Sequence, residues 1–171
     1  MLLDDFIALL WAYGGNIGSR SGRVDPEVAR RPELFLLAAS KFISVDARLS
    51  TCIFNLIMEM ASRFSAHKVI ETMVGASYEP SRLGLLVTII RKELEKHGAL
   101  IDMVEWTKIE RELRESLTNK MKPQPLLPHL PSLPGRRDPT FLSWGFEYPG
   151  IVREPDKYLR KDFVVRPADA I

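Results

Sequence analysis

Pro32-Glu33-Leu34-Phe35-Leu36-Leu37-Ala38-Ala39-Ser40-Lys41-Phe42-Ile43 opens the stretch on which the fold turns. Proline suits the first turn of a helix, where its missing N–H has no partner to lose. Glu33 beside it favours the positive end of the helix dipole. Ser44 then predicts a cap for a second helix, from Val45 to about Phe64. Along that segment Leu49, Cys52, Ile53, Leu56, Ile57 and Met60 recur at steps of three and four, which is one stripe of an α-helix and not the alternation of a strand. Phe54 and Met58 widen the stripe, and Arg48, Asn55, Glu59 and Ser62 are left for water. Burying each large apolar side chain is worth roughly 1.5–3 kcal/mol. The two helices are therefore expected at the centre of the core, covered by neighbours.

Those neighbours are also legible as helices. Residues 2–13 carry Leu2, Phe6, Leu9, Leu10 and Tyr13 on one side and stop at Gly14-Gly15. The polar run Asn16-Ile17-Gly18-Ser19-Arg20-Ser21-Gly22-Arg23 reads as a connection. Its sharper reading is an anion-binding nest of backbone N–H groups with Arg20 or Arg23, although no Gly-Lys-Ser/Thr follows as a P-loop requires. Asp25-Pro26-Glu27 predicts a cap and a short helix over 26–30. Ser65 predicts a cap for a helix over 66–74 with Val69, Ile70 and Met73 on its apolar face. Pro80 opens a helix over 80–97 that is apolar almost all round, through Leu83, Leu85, Leu86, Val87, Ile89, Ile90 and Leu94, and Gly98 ends it. A last helix over 100–120 has a narrow stripe of Trp106, Ile109, Leu113 and Leu117. The rest of it is charged, with Glu110 and Arg114, and Arg111 and Glu115, spaced i,i+4. That stripe is a candidate seam for a dimer or another protein.

Composition changes at Pro123. Eight of the 12 prolines lie between 123 and 155, so this region is extended and irregular. It also holds Leu126, Leu127, Leu130 and Leu133, and six of the 15 aromatics fall between 141 and 163, a richness that disordered linkers lack. A short helix at 139–144 and a strand or turn near 162–166 are expected. The whole reads as a mainly α chain: a compact multi-helix bundle over residues 1–122, and an extended proline- and aromatic-rich C-terminal arm over 123–171. The arm packs on the helical body or on a partner subunit through Phe141, Trp144 and Phe146.

A chain of 171 residues suits one domain with an appendage. The start lacks a basic segment before its apolar residues, no uncharged run reaches transmembrane length, and the expected location is cytoplasmic. Cys52, on the apolar stripe, reads as core, and no Cys/His spacing resembles a zinc site. Net charge is +2, with 7 basic and 7 acidic side chains in residues 1–64, 10 and 9 in 65–122, and 7 and 6 in 123–171. Even distribution weighs against a nucleic-acid surface, which needs concentrated positive charge.

Three constellations bear on function. Helix 66–74, a turn and helix 80–97 imitate a helix-turn-helix, in which Arg82, Thr88, Arg91 and Lys92 would face DNA; a recognition helix needs an exposed polar face, and this one is rich in leucine and isoleucine. The second constellation is Arg91 and His97 with five residues between. The spacing resembles the arginine–histidine signature of the HEPN helical ribonucleases. That resemblance implies an all-α, often dimeric fold and acid–base chemistry on a ribose 2′-OH with arginine holding the phosphate. Residues six apart on a straight helix point to different sides, so the pair requires a break before His97. The third is the tail, where Arg136, Arg137, Trp144, Arg153, Tyr158, Arg160 and Lys161 alternate with acidic residues; interleaved aromatics and cations can track single strands. No nucleophile with its base, carboxylate cluster or cofactor fingerprint is visible, and no cofactor is expected. The resulting expectation is a non-enzymatic interaction module, a regulator-like helical protein that contacts nucleic acid through the helix-turn-helix-like segment, cytoplasmic, homodimeric or bound to another protein, with no membrane contact. Alternatives are the helical ribonuclease and a purely protein–protein assembly protein.

Overall fold

The computed structural model describes residues 1–15, 22–117, 122–128 and 138–147. Among these lie eight α-helices: α1 Leu3–Ala12, α2 Pro26–Arg30, α3 Pro32–Phe42, α4 Ala47–Glu59, α5 Ala66–Gly75, α6 Pro80–Lys96, α7 Leu100–Ser116 and α8 Pro139–Leu142. A single 3₁₀ turn, Ala61–Arg63, follows α4. Two two-residue strands, β1 Gln124–Pro125 and β2 Phe146–Glu147, pair in parallel. The fold is mainly α with compact helix packing, as the periodicities require. No helix among the described residues is long and apolar enough to cross a membrane. Of the expected nest over 16–23, residues 16–21 lie outside the described residues, as does the strand or turn near 162–166, while the Arg23 N–H donates to Asp5 Oδ1 at 2.9 Å.

The helix ends show which local signals governed. Pro26, Pro32 and Pro80 each occupy a first helical turn. Gly14 at φ 96° and Gly98 at φ 70° close α1 and α6 in the left-handed region open to glycine. The second central helix starts later than Ser44 implied. The Asp46 carboxylate accepts from the N–H groups of Arg48 and Leu49, at 2.9 and 3.2 Å, and a carboxylate in the cap position outcompetes the earlier serine. Ser65 does not cap α5 through its side chain. The Ala66 N–H donates instead to Glu105 Oε2 of α7 at 2.9 Å, a cap supplied from a distant part of the chain.

The core runs without interruption from Phe6 to Phe146. At one end Phe6 stacks on Phe42 and Phe35, with centroids 4.4 and 5.8 Å apart, and Tyr13 lies 4.7 Å from Phe35. The Tyr13 hydroxyl donates toward the Val28 and Ala29 carbonyls at 3.1 and 2.8 Å, tying α2 to α1. α3 and α4 are buried as expected, but Cys52 is half-buried, not fully enclosed. The hub is α6, which packs on α3, α4, α7 and α8 and buries every residue from Leu83 to Ile90.

Gly84 sits inside that buried run, where glycine costs a helix about 1 kcal/mol relative to alanine. The reason is Trp144: a Cβ at position 84 would overlap its six-membered ring. Gly84→Ala is therefore expected to lower stability by about 1–3 kcal/mol, the cost of overpacking, despite alanine's better propensity. Gly75, at the end of α5, has open space around the same position, and Gly75→Ala is expected to raise stability by up to about 1 kcal/mol. Urea denaturation of the two variants against the parent chain reads both signs; a gain for Gly84→Ala removes the close-approach account.

Candidate functional site

One edge of α6 carries Gly84, Thr88, Arg91, Lys92 and Glu95 at helical spacing. Across from it α7 offers Glu110 and Arg114, and α8 brings up Thr140, Phe141 and, just beyond, Trp144. These groups close into one polar network. Glu110 Oε2 accepts from Arg91 Nε at 2.6 Å, and Glu110 Oε1 accepts from Arg114 Nη2 and Nε at 2.7 and 3.1 Å. The Thr88 hydroxyl, which helps to hold the Glu110 carboxyl low, accepts from the Trp144 indole N–H at 2.8 Å. The Arg114 guanidinium lies 4.4 Å from the centroid of the Trp144 ring, within cation–π range. Arg91 reaches Glu95 at 3.2 Å, and Lys92 Nζ donates to Thr140 Oγ1 at 2.6 Å. Asp138 accepts from the Thr140 N–H at 2.7 Å and so caps α8.

Burial pushes the Glu110 carboxyl up. The hydrogen bonds from Arg114 and Arg91, the charge of Arg91 and the Thr88 hydroxyl together outweigh burial and hold it below the usual carboxylate range. Its side chain is 10% exposed. A carboxylate saturated by donors in this way is a fixed anion and a weak base, so the cluster suits recognition and positioning better than proton transfer. Beside it an open groove of about 470 Å3 is lined by Arg91, Thr107, Glu110, Arg111, Arg114 and Glu115.

The residues read from the sequence as a DNA-facing set share α6, but Thr88, Arg91 and Lys92 bond within the chain. Thr88 is buried beneath Trp144, Arg91 is engaged by two carboxylates and Lys92 is exposed but turned to Thr140, while Arg82 is half-buried in the first turn of α6. α6 is a core helix, and the exposed polar face that a reading helix requires is not there. For the Arg91–His97 pair, α6 runs unbroken to Lys96 and His97 merely ends it, exposed. On a continuous helix the two lie about 120° apart in rotation, so the break that the pair required does not occur.

The expected partner seam on α7 is likewise corrected. Trp106, Ile109 and Leu113 are fully buried in the chain's own core, and Leu117 packs partly buried against it. Trp106 donates to the Ala61 carbonyl at 3.2 Å and meets Phe64 edge-on at 5.3 Å. Phe141, Trp144 and Phe146 are buried too, together with Leu126 and Leu127. These described parts of the 123–171 arm thus cover the helical body within the same chain. Trp144 is accordingly withdrawn from the base-stacking tail, whose other members lie outside the described residues. Among the described residues no group of three or more His, Cys, Asp or Glu side chains is placed to hold a metal ion.

Sequence reasoning passed over Gly84 as an element of this site, and read Glu110 and Arg114 as a surface pair. The available signal was the glycine itself, isolated in an otherwise apolar helix, which marks a close approach. In comparisons with known proteins, no family model, curated sequence or solved structure matches this chain.

Because Glu110 is held below its ordinary value of 4.5, it contributes stability that is complete above that pH and is lost as pH falls through the lower folded-state value. Glu110→Gln is expected to cost about 1.5–3 kcal/mol at neutral pH, as for a hydrogen bond to a charged group. The gap between parent and variant should shrink as pH drops below 4.5. Urea denaturation at neutral and acid pH checks it; a gap independent of pH would refute the assignment.

Proposed function

We propose that this chain is a non-enzymatic interaction protein that assembles with a second copy of itself through the outer face of α7. The observation that carries this reading is a stripe opposite the buried one: Ile101, Val104, Lys108, Arg111 and Glu115, all exposed. Steps of three and four place them along one line of the helix, the spacing by which two helices pair. Ile101 is 86% exposed, Leu100 beside it 64% and Val104 49%, three apolar side chains in the first two turns. Beyond them the charges change sign along the axis, with Lys108 and Arg111 followed by Glu112 and Glu115.

That order is self-complementary for two antiparallel copies. A two-fold axis passing between residues 111 and 112 sets Lys108 against the partner's Glu115 and Arg111 against the partner's Glu112. In that register Val104, Ile101 and Leu100 fall opposite positions 119, 122 and 123 of the partner, past the end of its α7 at Ser116. An isologous contact of this kind is the commonest form of homodimer. A parallel arrangement would set like charges together. Lys108 already pairs with Glu105 at 2.6 Å, but such exposed pairs are weak and exchange readily for one made across a seam.

Two charge-reversed chains test the register. Lys108→Glu with Arg111→Glu, and Glu112→Lys with Glu115→Lys, should each sediment as a monomer, and an equimolar mixture should recover the dimer mass of the parent chain. Measurement at about 100 μM detects an interface worth about −5.5 kcal/mol. A monomeric parent chain at that concentration, or dimers formed by each reversed chain alone, would reject the proposal.

A further inference from the structure

The flank of α6 and α7 holds a second feature, independent of the seam just described: the seat of residues 138–147. The segment Asp138–Glu147 sits on the helical body as a ligand sits in a site. It brings its own fold with it: Asp138 caps a single turn, the Ser143 and Trp144 N–H groups close that turn on the Pro139 and Phe141 carbonyls at 3.0 Å each, and Gly145 at φ 78° ends it. Phe141 and Trp144, three residues apart, leave this turn on one side and are buried.

The seat beneath is built for them with polar as well as apolar atoms. Gly84 withholds the Cβ that would overlap the indole. Thr88 accepts the indole N–H at 2.8 Å, and Arg114 covers the outer ring face. Lys92 takes the Thr140 hydroxyl at 2.6 Å. Arg114 is itself held by the buried Glu110 carboxylate at 2.7 Å, so that side of the seat keeps its shape through bonds on the helical body alone. An ordinary patch of core needs size and apolarity and little else. Here an indole donor, a ring face and a capped hydroxyl each meet a matching group, which is how short peptide motifs are recognised.

We infer that the α6–α7 flank is a peptide-binding site for a one-turn helix of the form Asp-Pro-Thr-Phe-x-x-Trp, which the chain fills in cis with residues 138–144. A peptide of that chemistry binds when the seat is vacated and competes poorly while the resident segment occupies it, because the resident copy is tethered and therefore present at high effective concentration.

A labelled peptide of residues 138–147, titrated by fluorescence anisotropy, tests this with the full chain. Saturable binding is expected to Trp144→Ala, at least tenfold weaker binding to the parent chain, and loss of binding when the peptide's own tryptophan is replaced by alanine. Absence of saturable binding to a Trp144→Ala chain of parental helix content would overturn the inference. Equal binding to both chains, or binding that ignores the peptide's tryptophan, would do the same. Should Trp144→Ala fail to fold, amide hydrogen exchange on the parent chain decides. The N–H groups of Leu142 to Gly145 should open at least tenfold more often than those of Ile89 and Ile90; a shared rate would show an inseparable piece of core and reject a vacatable site.

Discussion

The carboxylate of Glu110, buried between α6 and α7, is the constraint around which the rest is arranged. An anion taken out of water must be met by favourable partners, and three groups meet it: Arg91 from one helix, Arg114 from its own, and the Thr88 hydroxyl, which helps to hold the carboxyl low. Meeting that need fixes the rotation of α6 against α7. It also leaves Thr88 with an oxygen to offer and Arg114 with a flat face to present. Trp144 uses both. The chain beyond α7 is thus located by Glu110 at one remove, through Thr88 and Arg114.

The division of α7 into two opposed stripes gives the surface its character. Trp106, Ile109 and Leu113 turn inward and complete the core; Ile101, Val104, Lys108, Arg111 and Glu115 turn outward. Both follow the same three–four rhythm, so each has the spacing of a helix-pairing face. Hydrophobicity decides which goes inside, and the mixed stripe is left to water or to a partner. The same logic removes α6 from any role as a reading helix, since a segment buried over every residue from Leu83 to Ile90 has no face left to insert in a groove.

Most of the architecture was legible because it is punctuated locally. Pro26, Pro32 and Pro80 announced starts, Gly14 and Gly98 announced ends, and periodicity filled the intervals. The misplacement at the second central helix was local too: both Ser44 and Asp46 are capping residues, and the carboxylate prevailed. The candidate site was hidden for a different reason. Gly84 and Trp144 are far apart in sequence, and neither a lone glycine nor a lone tryptophan names its partner. Glu110 and Arg114 looked like an exposed i,i+4 pair because spacing reports the helix they share and says nothing about the helix beside them. The Trp106 stripe was read correctly as apolar and wrongly as available, since a sequence shows which face seeks cover without showing what covers it.

One detail of the helix ends bears on how the molecule comes together. The opening N–H of α5 has no acceptor from the serine before it and takes the Glu105 carboxylate, 39 positions further along. The hydrogen bonds from Lys108 and from Ala66 also hold that carboxyl below its usual range. A ten-residue helix is marginal alone, and this one borrows its first turn from a segment synthesised well after it. Its ordering therefore depends in part on its packing against α7.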